Sequence, residues 1–328
     1  MSKPKLFVTR KIPEAGLSML VDRFEVEVWP EYRPTPRDVL LQKLTEVEAI
    51  VTLLSDKIDV AALNGAPKLK IISQYAVGFD NIDVGEAAKR GIIVTNTPEV
   101  LTDASADFAW ALLMAVSRRV VEADKYVRSG QWRVAWHSAM MLGKDVSGST
   151  LGIIGAGRIG QAVGRRAKGF DMRILYCSGS SKPEFEAQTG AKRVDLDTLL
   201  READFVSLHV PLTDKTRNMI NAEKLALMKP TAYLINNARG PVVDEAALYT
   251  ALKNRKIAGA GLDVFVEEPT PPENPLLELD NVVVAPHISS AGYATRDQMA
   301  IMVAKNLLAW LDGQTPPNLV QGYATLLL

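Results

Sequence analysis

At 328 residues the chain is longer than one ordinary hydrophobic core supports, so two domains are expected. Its 38 Lys and Arg balance 38 Asp and Glu, which excludes a global field favouring nucleic acid or an anionic membrane surface. The composition, 47% hydrophobic and 23% charged, is that of a globular protein, and no apolar run is long enough to span a bilayer.

The first residues enter a strand-like run, Leu6-Phe7-Val8-Thr9, without the basic stretch, apolar core and small-residue site of a secretory leader. Cys177 is the one cysteine, so no intrachain disulfide and no multi-cysteine metal site is expected, and a reducing, cytoplasmic setting fits. Short apolar strands are expected at 5–10, 49–54, 70–75 and 92–95, with helical periodicity at 13–21 and 60–66. Residues 103–130 read as one long helix. Its apolar middle, 108–114, needs cover on more than one side, from a second domain or a second subunit. Further strands are expected at 151–154, 173–177, 205–210, 232–236, 259–264 and 282–285, and an amphipathic helix at 300–311 before Gly313 and Pro316. Apolar runs without strict alternation point to strands covered on both faces, and their alternation with helices to two doubly wound α/β units with parallel sheets.

Gly155-Ala156-Gly157-Arg158-Ile159-Gly160 follows one of these strands and precedes a helix-compatible stretch. In that context Gly155 permits a tight turn, Gly157 lets the backbone approach a pyrophosphate, and Gly160 lets helix pack on strand. The helix N-terminus then presents N–H groups to the anion. The next strand tip, which in such folds carries an acid for an NAD ribose, reads Ser178-Gly179-Ser180-Ser181-Lys182. It has no carboxylate to repel a 2′-phosphate, and Ser178, Ser180 and Lys182 are candidates to bind one. It also has no arginine. The balance favours NADP over NAD and leaves NAD open.

Arg239, Asp263, Glu267, Glu268 and His287 fall at successive strand exits, where ligands of doubly wound sheets bind. Reduction of a 2-keto acid needs a cation for the carboxylate and a proton donor for the carbonyl oxygen. An arginine fork and a histidine steadied by a carboxylate supply both. The same residues have plainer readings: Arg239 as a helix cap or a partner of Asp244, the glutamates as a solvated loop, His287 as a core histidine. Of the other two histidines, His209 ends an apolar strand near the cofactor crevice, and His137 follows the long helix beside Trp136.

Several motifs in order, among them Val77-Gly78-Phe79-Asp80, the glycine loop, His209-Val210-Pro211, Ala238-Arg239-Gly240 and Pro286-His287-Ile288, resemble the D-isomer-specific 2-hydroxyacid dehydrogenases, the glyoxylate/hydroxypyruvate reductase branch above all. The resemblance implies a Rossmann-like cofactor domain (102–285) inserted into a flavodoxin-like substrate domain (1–101 and 286–328). It implies a homodimer in which the 103–130 helix serves as an arm. It gives Arg239 the substrate carboxylate, His287 the acid/base role and Glu268, which directly precedes proline, the partner role. Leu54, Ser55, Val77, Gly78 and a partner-subunit Trp136 would meet substrate. Thr102, Arg158, Ile159, His209, Pro211, Thr216, Asn237, Ala238 and Asp263 would join the glycine loop at the cofactor, with Asp263 at the nicotinamide carboxamide. Asn237 and Ser289 depart from the residues common beside Ala-Arg-Gly and His-Ile, and 321–328 matches no family pattern. Same-fold oxidation of phosphite, action on a bulkier 2-keto acid, and a dinucleotide-binding corepressor or scaffold are the competing readings. The formate branch is disfavoured because it carries glutamine where this chain has Glu268.

Overall fold

The computed structural model describes residues 2–320, so the 321–328 tail lies outside the described residues. The chain divides into two compact units, Met1–Leu101 with Ala291–Leu328, and Thr102–Ser290. Residues 286–290, expected with the outer unit, belong to the second. Their backbone is held there: His287 N–H donates to the Asp263 carbonyl, and Ile288 and Ser289 N–H donate to its carboxylate.

The first unit contains strands β1 (Lys5–Val8), β2 (Glu25–Val28), β3 (Ala49–Thr52), β4 (Ile71–Gln74) and β5 (Ile93–Thr95), all parallel in the order β2-β1-β3-β4-β5. This is the flavodoxin-like order. Two of its helices, Val60–Asn64 and Val84–Lys89, start where aspartates cap them: Asp59 accepts from Ala62 N–H and Asp83 from Glu86 N–H. The C-terminal helix Tyr293–Leu311, longer than expected, packs on Glu14–Leu17 so closely that a Cβ on Gly16 would meet the Ala300 carbonyl at 2.2 Å.

The second unit contains β6 (Thr150–Ile154), β7 (Arg173–Cys177), β8 (Lys192–Arg193), β9 (Phe205–Leu208), β10 (Tyr233–Asn236), β11 (Gly259–Leu262) and β12 (Val282–Val284). They form one parallel sheet in the order β12-β11-β10-β9-β6-β7-β8, the dinucleotide-binding arrangement with one further strand. Adjacent residues of a strand enter different cores. Ile154, Leu175, Val206 and Leu234 join one cluster, while Ile153, Ile174, Phe205 and Ile235 join another. Coverage of both faces is why the sequence shows runs rather than alternation.

Two edge strands, β2 and β8, were not expected from the sequence. The single helix expected at 103–130 is two, Thr102–Ser117 and Val120–Arg128, separated at Arg119 with φ 54°. The carbonyl of Ser117 is taken by Lys144 N–H and the Ser117 hydroxyl turns back to the Leu113 carbonyl, so the ladder ends there. The first of these helices packs on Arg158–Ala167: Trp110 Nε1 donates to the Val163 carbonyl at 3.1 Å, and its ring stacks on Phe170.

Candidate active site

The topological switch of the second unit lies between β6 and β9, which run side by side while their following connections leave in opposite directions. The glycine loop sits there. Gly155 adopts φ +97°, and a Cβ on it would meet the His209 carbonyl at 2.6 Å, so loop and β9 exit touch through backbone. A Cβ on Gly160 would lie 2.1 Å from the Gly155 carbonyl, which brings the helix onto the strand. A Cβ on Gly157 would meet nothing within 4 Å.

The helix that follows, Arg158–Ala167, begins on Gly157 with no side-chain cap, whereas its neighbours begin on Asp195, Asn221 and Asp244, each accepting a backbone N–H of its first turn. An uncapped N-terminus above an open backbone is the form a bound pyrophosphate requires. His209 is anchored by a 2.8 Å hydrogen bond between Nε2 and the Ser207 hydroxyl, and burial pushes its imidazolium down to about 3, so the ring is neutral. Beyond it, Thr216 Oγ1 donates to the Pro211 carbonyl at 2.6 Å and accepts from Thr213 N–H, closing the loop on itself.

At the β10 exit, Asn236 braces the turn that carries the arginine. Its Oδ1 accepts from Ala238 N–H at 3.1 Å and its Nδ2 donates to the Arg239 carbonyl at 3.0 Å. Gly240 lies against Phe265, where a Cβ would sit 1.9 Å from the carbonyl carbon, so the Arg239 turn and the 265–268 loop meet without a side chain between them. Asn237 is buried. Its Nδ2 donates to the Ser105 carbonyl at 2.8 Å, while its Oδ1 has no hydrogen-bond partner among the described residues.

The Glu268–His287 pair is formed by two loops. Glu268 Oε2 lies 2.6 Å from His287 Nδ1, and Glu268 Oε1 accepts from Phe265 N–H at 3.0 Å. Burial alone would raise the Glu268 carboxyl. The hydrogen bond and charge of His287, the Phe265 N–H and the charge of Arg239 outweigh it, so it lies below the usual carboxylate range. With Nδ1 engaged, Nε2 is the ring nitrogen left to present a proton, and the side chain is 25% exposed.

His287 itself has φ 56°, a left-handed conformation that a non-glycine residue adopts only under constraint. The constraint is Asp263. It is wholly buried, with Oδ1 accepting from Ile288 N–H at 2.8 Å and Oδ2 from Ser289 N–H at 2.9 Å. Burial raises its carboxyl, opposed by those two N–H groups and the His287 charge. Asp263, expected at the nicotinamide carboxamide, also clamps the histidine loop from beneath.

In the first unit, Leu54 and Ser55 follow β3, and Val77 and Gly78 follow β4. Their loops are tied internally: Asn81 Nδ2 donates to the Leu53 and Asp56 carbonyls, Gln74 Nε2 to the Gly78 carbonyl, and Asn96 Nδ2 to the Val77 carbonyl. Arg10 hydrogen-bonds the Ser55 hydroxyl. Thr102 opens its helix, and Trp136 is 79% exposed.

The family model for "D-isomer specific 2-hydroxyacid dehydrogenase, NAD binding domain" matches residues 110–289. The chain belongs to that family. This dehydrogenase is 59% identical over 318 residues to the glyoxylate reductase of Korarchaeum cryptofilum, covering 97% of this chain and 96% of the relative. A crystal structure of a Thermus thermophilus protein superposes with a TM-score of 0.91 at 46% identity, covering 96% of this chain and 99% of that one. The NADPH-dependent glyoxylate/hydroxypyruvate reductase of Sinorhizobium meliloti, solved with NADP and malonate, gives 0.86 at 36% identity and 98% coverage of both.

As an NAD(P)-dependent oxidoreductase, the dehydrogenase has residues that fit the dinucleotide. Gly157 opens on free space, the helix above it is uncapped, and the Asn237 oxygen is buried and unpartnered. Sequence reading missed Ser207, Asn236 and the clamping part of Asp263. Each acts through hydrogen bonds to backbone or side-chain groups of the neighbouring loop, and the cue that Asn236 and Asp263 carried in the sequence was their place at a strand exit.

Proposed function

We propose that this dehydrogenase reduces glyoxylate and hydroxypyruvate to the corresponding 2-hydroxy acids with NADH or NADPH. The observation that carries the reading is the 2.6 Å pair of His287 Nδ1 and Glu268 Oε2, held at strand exits within the electrostatic reach of Arg239. The names of the relatives, glyoxylate and glyoxylate/hydroxypyruvate reductases, support the substrate class.

The Arg239 guanidinium is the carboxylate anchor, a planar fork suited to two oxygens. His287 donates the proton to the substrate carbonyl oxygen from Nε2, while Glu268 holds Nδ1–H and stabilises the imidazolium. The bound nicotinamide supplies the hydride. Leu54, Ser55, Val77 and Gly78 are proposed substrate contacts, with backbone N–H groups of the last two as anion donors.

A homodimer is part of the proposal. Helix Val120–Arg128 buries none of its residues, and Val120, Trp132, Val134, Trp136 and Leu142 are all more than half exposed. An open hollow of about 400 Å³, lined by Asp107, Trp110, Ala111, Met114, Arg166 and Phe170, lies on the same unit and includes none of the reactive residues. Apolar surface of this kind marks an interface, and Trp136 is proposed to close the substrate pocket of the partner. A cytoplasmic location belongs to the same reading, with Cys177 a free thiol.

The test is steady-state reduction of glyoxylate, hydroxypyruvate, pyruvate and phenylpyruvate with NADH and with NADPH. Turnover of the first two is expected. No turnover with any of the four overturns the reading.

A further inference from the structure

The 178–182 tip that follows β7 contains no arginine, but the sheet brings one beside it. The edge strand β8 pairs with β7 in the register Tyr176↔Arg193, which sets Arg193 beside the tip at 178–182. Its guanidinium donates from Nε to the Ser178 carbonyl at 3.2 Å, and from Nη2 to the carbonyls of Ser178 at 3.0 Å and Gly179 at 3.3 Å. Nη1 has no hydrogen-bond partner among the described residues, and its two N–H groups remain for a ligand. Lys182 brings a second cation, with Nζ 2.9 Å from the Ser180 hydroxyl.

The tip is pinned from beneath. The Tyr176 hydroxyl is hydrogen-bonded to Glu186 and accepts from Lys182 N–H at 2.9 Å, and Ser181 Oγ donates to Glu186 at 3.0 Å. Two carboxylates near the tip, Glu186 and Asp195, have their own partners. Glu186 holds those two hydroxyls, and Asp195 caps its helix by accepting from the Thr198 N–H and hydroxyl. Neither needs Arg193 as a hydrogen-bond partner, and neither lies in the 178–182 segment.

In dinucleotide-binding sheets, the tip of the strand after the glycine helix meets the adenosine ribose. An acid there takes the 2′-hydroxyl, and an arginine accommodates a 2′-phosphate. We infer that Arg193, with Lys182 and the hydroxyls of Ser178 and Ser180, binds the 2′-phosphate of NADP(H). Cofactor choice in this dehydrogenase is therefore set by a residue of an edge strand, fifteen positions beyond Ser178. The assignment rests on the dehydrogenase reading above. A guanidinium already fixed by two backbone carbonyls approaches a phosphate with little conformational freedom left to lose.

The experiment is calorimetric titration of the full chain with NADP⁺, NAD⁺ and 2′-AMP, repeated for Arg193→Gln and Lys182→Gln, with thermal melts to confirm folding. The wild type is expected to bind NADP⁺ at least about tenfold tighter than NAD⁺. Arg193→Gln is expected to lower the NADP⁺/NAD⁺ affinity ratio at least about tenfold and to weaken 2′-AMP, with a smaller shift for Lys182→Gln. The ratio of kcat/KM for NADPH and NADH should move with it. Equal affinities in the wild type, a preference for NAD⁺, or equal losses of both dinucleotides in Arg193→Gln would each overturn the assignment. If NAD⁺ binds and the ratio does not move, only Arg193 is misassigned. If neither dinucleotide binds, the dehydrogenase reading falls too.

Discussion

Exchanging Asp263 for asparagine changes one atom and almost no volume, yet it strikes the loop that carries His287. Both carboxylate oxygens accept backbone N–H groups, those of Ile288 at 2.8 Å and Ser289 at 2.9 Å, and the side chain is fully buried. An asparagine has one acceptor, so one of the two N–H groups must face an amide NH₂. Losing a hydrogen bond to a charged acceptor costs about 1.5–3 kcal/mol, and stranding a buried donor adds roughly 1–3 kcal/mol. His287 is held in a left-handed conformation that disfavours a residue with a Cβ by about 1–2 kcal/mol, so relaxation out of it recovers part of the loss. The net effect is about 2–4 kcal/mol against the closed loop. Native-state hydrogen exchange at the amides of Ile288 and Ser289 reads this directly, as a fall in protection of roughly thirty- to a thousandfold. The measurement is made without dinucleotide, which separates a clamp from a cofactor contact: a residue that acted only on nicotinamide would leave exchange in the free protein unchanged. The kcat should fall as well, because the His287 ring loses its station beside Glu268. Unchanged protection together with a kcat within about twofold of wild type would refute the clamp.

Glu268→Gln keeps a hydrogen-bond acceptor for His287 but removes the charge, so kcat should drop about ten- to a hundredfold with KM little altered in steady-state kinetics. Because the folded-state carboxyl of Glu268 lies below its ordinary value of 4.5, its ionised form stabilises the fold above that value. The contribution disappears as pH falls through the depressed folded value. Melting curves below about pH 4.5 should therefore show a component of acid destabilisation in the wild type that the variant lacks. The glycine loop gives a paired test. Gly157→Ala meets no atom within 4 Å and should fold normally while dinucleotide affinity falls by about tenfold or more. Gly160→Ala places its methyl 2.1 Å from the Gly155 carbonyl and should lower the melting temperature outright. Equal melting temperatures for the two variants, or equal affinities of Gly157→Ala and wild type, would count against the assigned roles.

Much of this architecture is legible in the residues because the central strands are buried on both faces. Runs such as Leu151-Gly152-Ile153-Ile154 and Phe205-Val206-Ser207-Leu208 have little polar character to confuse with a turn, and they pair in parallel as such runs require. Edge strands lack that signal. Glu25-Val26-Glu27-Val28 covers one face only, and Lys192-Arg193 has no apolar residue at all; its pairing is dictated by the neighbouring β7 rather than by its own composition. The break at Arg119 is equally invisible in the local pattern, since the apolar period continues across it. What ends the helix is a hydrogen bond from Lys144, a residue twenty-seven positions after Ser117 that no local window includes.

The strands expected to continue to residues 210 and 264 instead end at Leu208 and Leu262, and the two residues past each end are where the site begins. Apolar patterning reports burial, not pairing. Val264 and Phe265 are 2% and 6% exposed although the ladder has stopped, so the sequence cannot distinguish them from strand. The geometry can. At Asp263 the N–H still reaches back to the Asn236 carbonyl of the neighbouring strand, while the side chain turns to accept from the next exit, at 288 and 289. The first residue past one strand thus becomes the brace for the loop of another, and His287, the proposed acid/base, is placed by a carboxylate that reads, in the sequence, as the polar end of an apolar run. The residues proposed for catalysis announce themselves by type, whereas the residues that hold them in position are recognisable only once the strands lie side by side.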